Sequence, residues 1–227
     1  MEFVPPFAPL VVLAFLALGA ALGGTALALL AAAISRKTRF LPWIAGFGVV
    51  VVLGYAGVLL ADSAISRERV LGPGEKKYFC EIDCHLAYSV EGIETAPAVG
   101  PPLTPLRAHG RWLIVRLKTW FDESTISRYR GDSPLDPSPR VIYVGDAGGR
   151  RFPPSPEADR ALRAAGRASV SLTRPLRPGE SYETLLAFDL PPGIRDPRLY
   201  VGTDDPVAFV LIGHEESPLH RKIWFRI

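Results

Sequence analysis

Charge is missing from most of the first quarter of this 227-residue chain. No Asp, Glu, Lys or Arg lies between Glu2 and Arg36, and none lies between Arg39 and Asp62. Two uncharged blocks of that length exclude a purely soluble protein. Since neither block holds an ionisable side chain, a transport path or proton relay has no residues to carry it. From Glu75 onward an excess of either sign is missing as well: 21 Lys+Arg stand against 20 Asp+Glu, a balance of +1. That excludes a basic nucleic-acid-binding domain, so no nucleic-acid partner is expected. No Gly-rich loop follows a strand pattern and no Gly-x-Ser-x-Gly elbow occurs, which leaves nucleotide and serine-hydrolase chemistry without a signal.

What fills the first quarter is apolar. Phe7 to Ile34 runs for 28 residues with Thr25 as its conspicuous polar residue, and at about 1.5 Å per residue it exceeds a hydrocarbon core of about 30 Å. Phe40 to Ala61 adds 22 residues, with Pro42 in the first turn and Trp43 near an interface. Residues 1–66 therefore read as a transmembrane hairpin with helices over about 7–34 and 40–61. The tail before the first run has no Lys or Arg, against a cleaved signal peptide. Arg36, Lys37 and Arg39 crowd the connecting loop, which places the loop in the cytoplasm and both flanking segments outside. Arg67, Arg69, Lys76 and Lys77 pull the other way but are interspersed with Asp62, Glu68 and Glu75. Gly19, Gly23 and Gly24 on the first helix and Gly46, Gly48, Gly54 and Gly57 on the second give small-residue faces, suited to packing within the hairpin or to docking in a larger membrane complex.

Eighteen of the 22 prolines follow Leu71, and there the period changes. After a linker at 67–77, residues 78–227 read as a domain of short strands. Tyr78 to Val90 alternates as one half-buried strand. Glu94 to Gly110 is Pro/Gly-rich and reads as a connection, and Arg111 to Phe121 as a strand with Leu113, Val115, Leu117 and Phe121 on one face. Residues 122–140 read as a long surface loop. Val141–Val144 and Arg150–Phe152 form a hairpin about Asp146-Ala-Gly-Gly149. Ser155 and Pro156 open a short helix that Gly166 closes. Strands are expected over Ala168–Thr173, Ser181–Leu190, Arg198–Val201, Val207–Ile212 and Lys222–Ile227. Seven or eight strands with one short helix predict an all-β antiparallel sandwich.

Three segments carry a resemblance: Trp112-Leu-Ile-Val-Arg-Leu-Lys118, Val141-Ile-Tyr-Val-Gly-Asp-Ala-Gly-Gly-Arg150, and Leu176-Arg-Pro-Gly-Glu through Phe188-Asp-Leu-Pro191. Together they resemble an uncharacterised bacterial family of membrane-anchored, immunoglobulin-like domains. The resemblance implies an immunoglobulin-like fold in an extracytoplasmic, periplasmic setting, on a multi-pass anchor in the bacterial inner membrane. It supplies no catalytic residues.

One segment is dense in ligand-type side chains: Cys80-Glu-Ile-Asp-Cys84-His85. Cys-x-x-x-Cys-His resembles a lengthened haem c attachment signature, with His85 as proximal ligand and His109, His214 or His220 as distal candidates. The single methionine, Met1, disfavours a His/Met pair. Two helices followed by a β-sandwich also resemble the layout of cytochrome oxidase subunit II. The copper pattern of that subunit is not met, since this chain has Ile82, Tyr88 and Gly92 where a Glu, a His and a Met belong; a simpler thiolate–imidazole copper site suits the residues present. Against both stands the alternation, because in a strand Cys80 and Cys84 lie about 13 Å apart, too far for a local disulfide, which needs about 7 Å. Periodicity favours two buried structural cysteines.

His214, Glu215, Glu216 and His220 with Asp204 and Asp205 offer metal-ligand types in a loop, at undiagnostic spacing. Arg128, Arg130 and Arg140 mark the 122–140 loop as a contact surface for an anionic partner or lipid headgroups. The expectation is a membrane-anchored accessory subunit or binding module, not an enzyme and without cofactor, partnered by the lipid bilayer and a membrane protein. The alternative is an electron-transfer or copper-handling protein with haem c or copper at Cys80, Cys84 and His85.

Overall fold

Two long apolar helices precede a β-sandwich of two sheets. The protein is represented by a computed structural model, which describes residues 8–79, 86–125, 129–167 and 169–227. The chain divides into two units: residues 68–204 with 223–227, and the helical residues up to Arg67 with 205–222.

In the second unit, α1 (Ala8–Ile34) and α2 (Leu41–Ile65) form the expected hairpin. Both are long and apolar enough to cross a membrane. Pro42 sits in the first turn of α2, where its missing N–H costs no helical hydrogen bond. Gly48 is where the helices come close: a Cβ there would stand 3.0 Å from the Thr25 methyl carbon, while Gly19, Gly23, Gly24, Gly46, Gly54 and Gly57 face open space. Thr25 keeps its hydroxyl satisfied on the Ala21 carbonyl at 2.7 Å.

The first unit is the sandwich. Its strands are β1 (Arg69–Leu71), β2 (Lys77–Phe79), β3 (Leu86–Val99), β4 (Leu106–Phe121), β5 (Val141–Gly145), β6 (Arg151–Phe152), β7 (Ser181–Leu190), β8 (Arg198–Gly202) and β9 (Ile223–Arg226). One sheet has the order β2-β3-β4-β7 and the other β1-β9-β8-β5-β6. All pairings are antiparallel except that of β1 with β9, which is parallel. The core between the sheets gathers Leu113, Val115, Leu117 and Phe121 of β4 with Val144, Leu199 and Phe225 opposite.

The four-stranded sheet is covered on its other face too. Helix α3 (Pro156–Ala164) begins at Ser155, whose hydroxyl accepts the Ala158 N–H at 3.2 Å, a side-chain cap in the position that most favours serine. It lays Ala158 and Leu162 on Trp112, Ile114 and Ala187. This second core explains why Trp112-Leu-Ile-Val115 is buried at four successive positions rather than alternating.

Five expectations are corrected. Tyr78 to Val90 is not one strand: Phe79 is the cross-strand partner of Leu86 and Lys77 of Tyr88, so the chain reverses between them. Glu94 to Gly110 is not a connection, because β3 runs to Val99 and β4 starts at Leu106. Pro97 falls at a register shift between Ala96 and Ala98, a place where the ladder asks for no N–H. The described part of Ala168–Thr173 forms no strand; instead the carbonyls of Val170 and Leu172 accept the hydroxyls of Thr184 and Tyr182 at 2.8 and 2.7 Å. Val207–Ile212 is not a strand either, since Pro206–Val210 is a 3₁₀ helix. Residues 67–77, expected as a linker, carry β1 and open β2.

Candidate functional site

Cys80, Cys84 and His85 lie outside the described residues, as does Arg128. The structure does describe the residues on either side of them in sequence, at the Phe79 and Leu86 end of the four-stranded sheet. Strand alternation sends Lys77 and Phe79 to the core side, whereas Tyr78 falls on the other side.

Phe79 is buried and meets the ring of Tyr88 edge-on, at 5.2 Å and 88°. Over these rings lies Arg140, its guanidinium carbon 4.2 Å from the Phe79 centroid and its Nε donating to the Tyr88 hydroxyl at 3.3 Å. Lys77 is buried from end to end. Its Nζ donates to the carbonyl of Val201 at 2.6 Å and of Ile223 at 3.2 Å, with the Tyr200 ring at 4.7 Å. The β8–β9 ladder stops at Leu199 and Phe225, so the ammonium takes the acceptors that the next rung would have used.

On the other side, Lys76 stands 3.1 Å over the Trp120 ring; Arg130 lies 4.8 Å from the centroid of Phe121, a ring of the core side, while donating to the Gly131 and Ser133 carbonyls at 3.2 and 2.6 Å. The Tyr78 hydroxyl donates to Asp122 at 2.7 Å, and the Ser124 N–H and hydroxyl bond the other carboxylate oxygen at 3.0 and 2.6 Å. Burial alone would raise the Asp122 pKa, but the Ser124 and Tyr78 hydrogen bonds and the charge of Lys76 hold it below the ordinary value. For Tyr78 burial and the Asp122 carboxylate act together and push the phenol up to about 12. Four cations laid on aromatic faces at one end of one sheet give a positive, ring-lined frame, each contact contributing about 0.5–1 kcal/mol where exposed. Of the arginines expected as a contact surface, Arg130 is thus engaged by its own loop and Arg140 by the Phe79 and Tyr88 rings.

Elsewhere in the sandwich, a cleft of about 390 Å³ is lined by Trp224, Gly145, Arg198 and three carboxylates. Arg198 pairs with Glu68 and with Asp196, which raises its pKa. Asp146 is held below the ordinary carboxylate value first by the Arg150 guanidinium at 2.8 Å. The charged side chains that line this cleft are thus paired with one another or with Arg150.

His109 Nδ1 lies 2.6 Å from Asp189, which also accepts the His109 and Gly110 N–H groups. The couple is on the surface, and no described hydroxyl bonds the other ring nitrogen, so it forms no nucleophile–base pair. His214 Nδ1 accepts the Glu216 N–H at 3.1 Å and His220 Nδ1 meets the Arg221 carbonyl at 2.8 Å. Among the described residues no group of three or more His, Cys, Asp or Glu side chains comes together, so the metal-ligand types at 204–220 are not assembled into a site.

No family model matches the chain, and neither does any curated protein. Solved structures show a distant likeness. A secreted protein from Mycobacterium tuberculosis is 12% identical with a TM-score of 0.44, the match covering 73% of this chain and 100% of that one. A conserved hypothetical protein from Bacillus anthracis is 14% identical with a TM-score of 0.40, covering 58% and 94%.

Proposed function

We propose that this protein is a two-helix membrane anchor carrying an extracytoplasmic, immunoglobulin-like sandwich that serves as an accessory subunit or binding module of a membrane complex, without catalysis of its own. The observation that carries this reading is the narrow seam within the hairpin. Gly48 meets Thr25, and six other helix glycines face open space, as do large apolar side chains such as Leu27, Trp43 and Val50. Helix faces of that kind suit the close approach of a further membrane helix, and an anchored sandwich gains effective concentration for weak contacts with whatever that helix belongs to.

The test is the mass of the particle extracted from native membranes in mild detergent. The reading expects an assembly heavier than the 24.7 kDa chain plus its detergent, from which Gly23→Leu with Gly46→Leu releases the chain while leaving the thermal unfolding of the sandwich unchanged. A particle holding only this chain overturns it.

A second reading, electron transfer or copper handling at Cys80, Cys84 and His85, is favoured by one observation. Phe79 faces Leu86 across a ladder, so Tyr78 to Val90 is not the single strand whose alternation argued against a compact site. An optical spectrum of native protein, oxidised and then dithionite-reduced, separates the readings: a Soret band marks haem, a visible band bleached by reduction marks copper, and a featureless spectrum leaves the docking module.

A further inference from the structure

Of the connection from β8 to β9, residues 205–222 belong to the helical unit, not to the sandwich. This stretch begins with Asp205, continues as Pro206-Val-Ala-Phe-Val-Leu-Ile212 without a polar side chain, and goes on through Gly213-His-Glu-Glu216 to Lys222. Two hydrogen bonds fasten it to α2: the Tyr55 hydroxyl donates to the Val210 carbonyl at 2.7 Å, and the Arg221 N–H donates to the Ser66 hydroxyl at 2.8 Å. Tyr55 and Ser66 are eleven residues apart, about 16 Å along a helix, so the segment runs lengthwise beside the last three turns of α2.

That registration fixes its depth. Asp62 is the first charged residue after the apolar run of α2, and Tyr55, seven residues earlier, lies about 10 Å further along the helix axis. A helical side chain leans toward the helix N-terminus, here away from Asp62, so the Tyr55 hydroxyl does not climb back toward the charged level. Ala208 is buried, while Val207, Phe209 and Val210 are exposed by 43%, 45% and 42%.

Backbone that enters hydrocarbon must have its polar groups satisfied, and several of the segment's groups are answered besides the Val210 carbonyl. The Val207 N–H is accepted by the Asp205 carboxylate at 2.9 Å and the Ala208 N–H by the Asp205 carbonyl at 3.0 Å. The Leu211 carbonyl accepts the His214 N–H at 3.2 Å and the Ser217 hydroxyl at 2.5 Å. The charged groups beyond the apolar run are sheltered: Glu215 is buried and Glu216 pairs with Lys222.

We propose that residues 206–212 are a membrane-dipping element, seated among lipid acyl chains beside α2, with Val207, Phe209 and Val210 as the lipid-facing side chains. The occupant of this face is the bilayer, because Ile212 of the segment lines one apolar pocket with Val51, Gly54 and Val58 of α2 and the segment lies at the depth that Tyr55 sets. The inference rests on the reading that α1 and α2 cross a membrane.

The test is photolabelling of the full-length chain reconstituted into phosphatidylethanolamine/phosphatidylglycerol vesicles that contain a lipid with a diazirine on its acyl chain, followed by peptide mapping. The expected result is adducts on the 206–212 peptide within about two-fold of those on the α2 peptide. Labelled α1 and α2 with an unlabelled 206–212 overturns the inference and gives the face to water, a second copy or a protein partner. Unlabelled helices as well as an unlabelled segment overturn the membrane reading itself. Phe209→Arg is expected to lower labelling of 206–212 several-fold with α1 labelling unchanged; equal labelling of the variant segment counts against Phe209 as a lipid contact.

Discussion

Lys77 Nζ stands 2.6 Å from the carbonyl oxygen of Val201, a hydrogen bond that crosses from the four-stranded sheet to the five-stranded one. A charged donor in that position replaces a missing rung of the β8–β9 ladder. Lys77→Met keeps the stem and removes the donor, leaving the Val201 and Ile223 carbonyls short of a partner. A loss of about 2 kcal/mol is expected, seen as a thermal midpoint lower by roughly 4–8 °C; an unchanged midpoint rejects the strut.

Gly110 closes the approach of β4 to the end of β7. A Cβ at that position would lie 2.2 Å from the Leu190 carbonyl oxygen and 3.0 Å from the Pro191 backbone, atoms that cannot swing aside as a side-chain tip does. Gly110→Ala is expected to cost about 3 kcal/mol, measured by urea unfolding of the purified chain.

Acid should weaken the sandwich through two carboxylates. Burial would raise Asp189 as it would Asp122, but hydrogen bonds from the His109 backbone and ring and from the Gly110 N–H lower its pKa, and those from Ser124 and Tyr78 lower that of Asp122. A folded-state pKa below the unfolded one contributes stability that is present above the ordinary value of 3.8 and is lost as pH falls through the depressed value. The urea midpoint is therefore expected to hold from pH 6 down to about 4 and then fall. Asp122→Asn with Asp189→Asn should lower the plateau and flatten the fall.

Tyr55→Phe removes the hydroxyl that donates to the Val210 carbonyl and that also bonds the Ile212 backbone. The expected loss is about 0.6–1.7 kcal/mol if the group lies in lipid. Amide exchange in vesicles reads it locally, with faster exchange across 207–212 and no change at the α1 amides.

Some of this was legible along the chain and some was not. The helices announce themselves by missing charge, and α3 by Ser155, Pro156 and Gly166, because those signals are local. The reversal between Phe79 and Leu86 is hidden because hydrophobic alternation runs on through it. In the same way Pro97 looks like a loop signal until its place at a register shift is known. Val207–Ile212 has the β-branched composition of a strand, yet its apolar character answers to the helices beside it. The ring-lined frame at the Phe79 and Leu86 end of the sheet draws on Lys77, Tyr88, Phe121 and Arg140, whose meeting depends on long-range strand pairing that no spacing rule encodes.

The parallel pairing of β1 with β9 joins Arg69 to Ile223, so the strand that opens the sandwich has no ladder partner until the ninth strand has been synthesised. Contacts of such long range are closed late, after the loop entropy between them has been overcome. On the ribosome β1 must wait as an open edge next to the anchor, where proteases and holding chaperones have their opportunity. Lifetime of the newly made chain is thus governed by how quickly the last strand is delivered, and a change that slows elongation through residues 200–226 would lower its yield without touching a single folded contact.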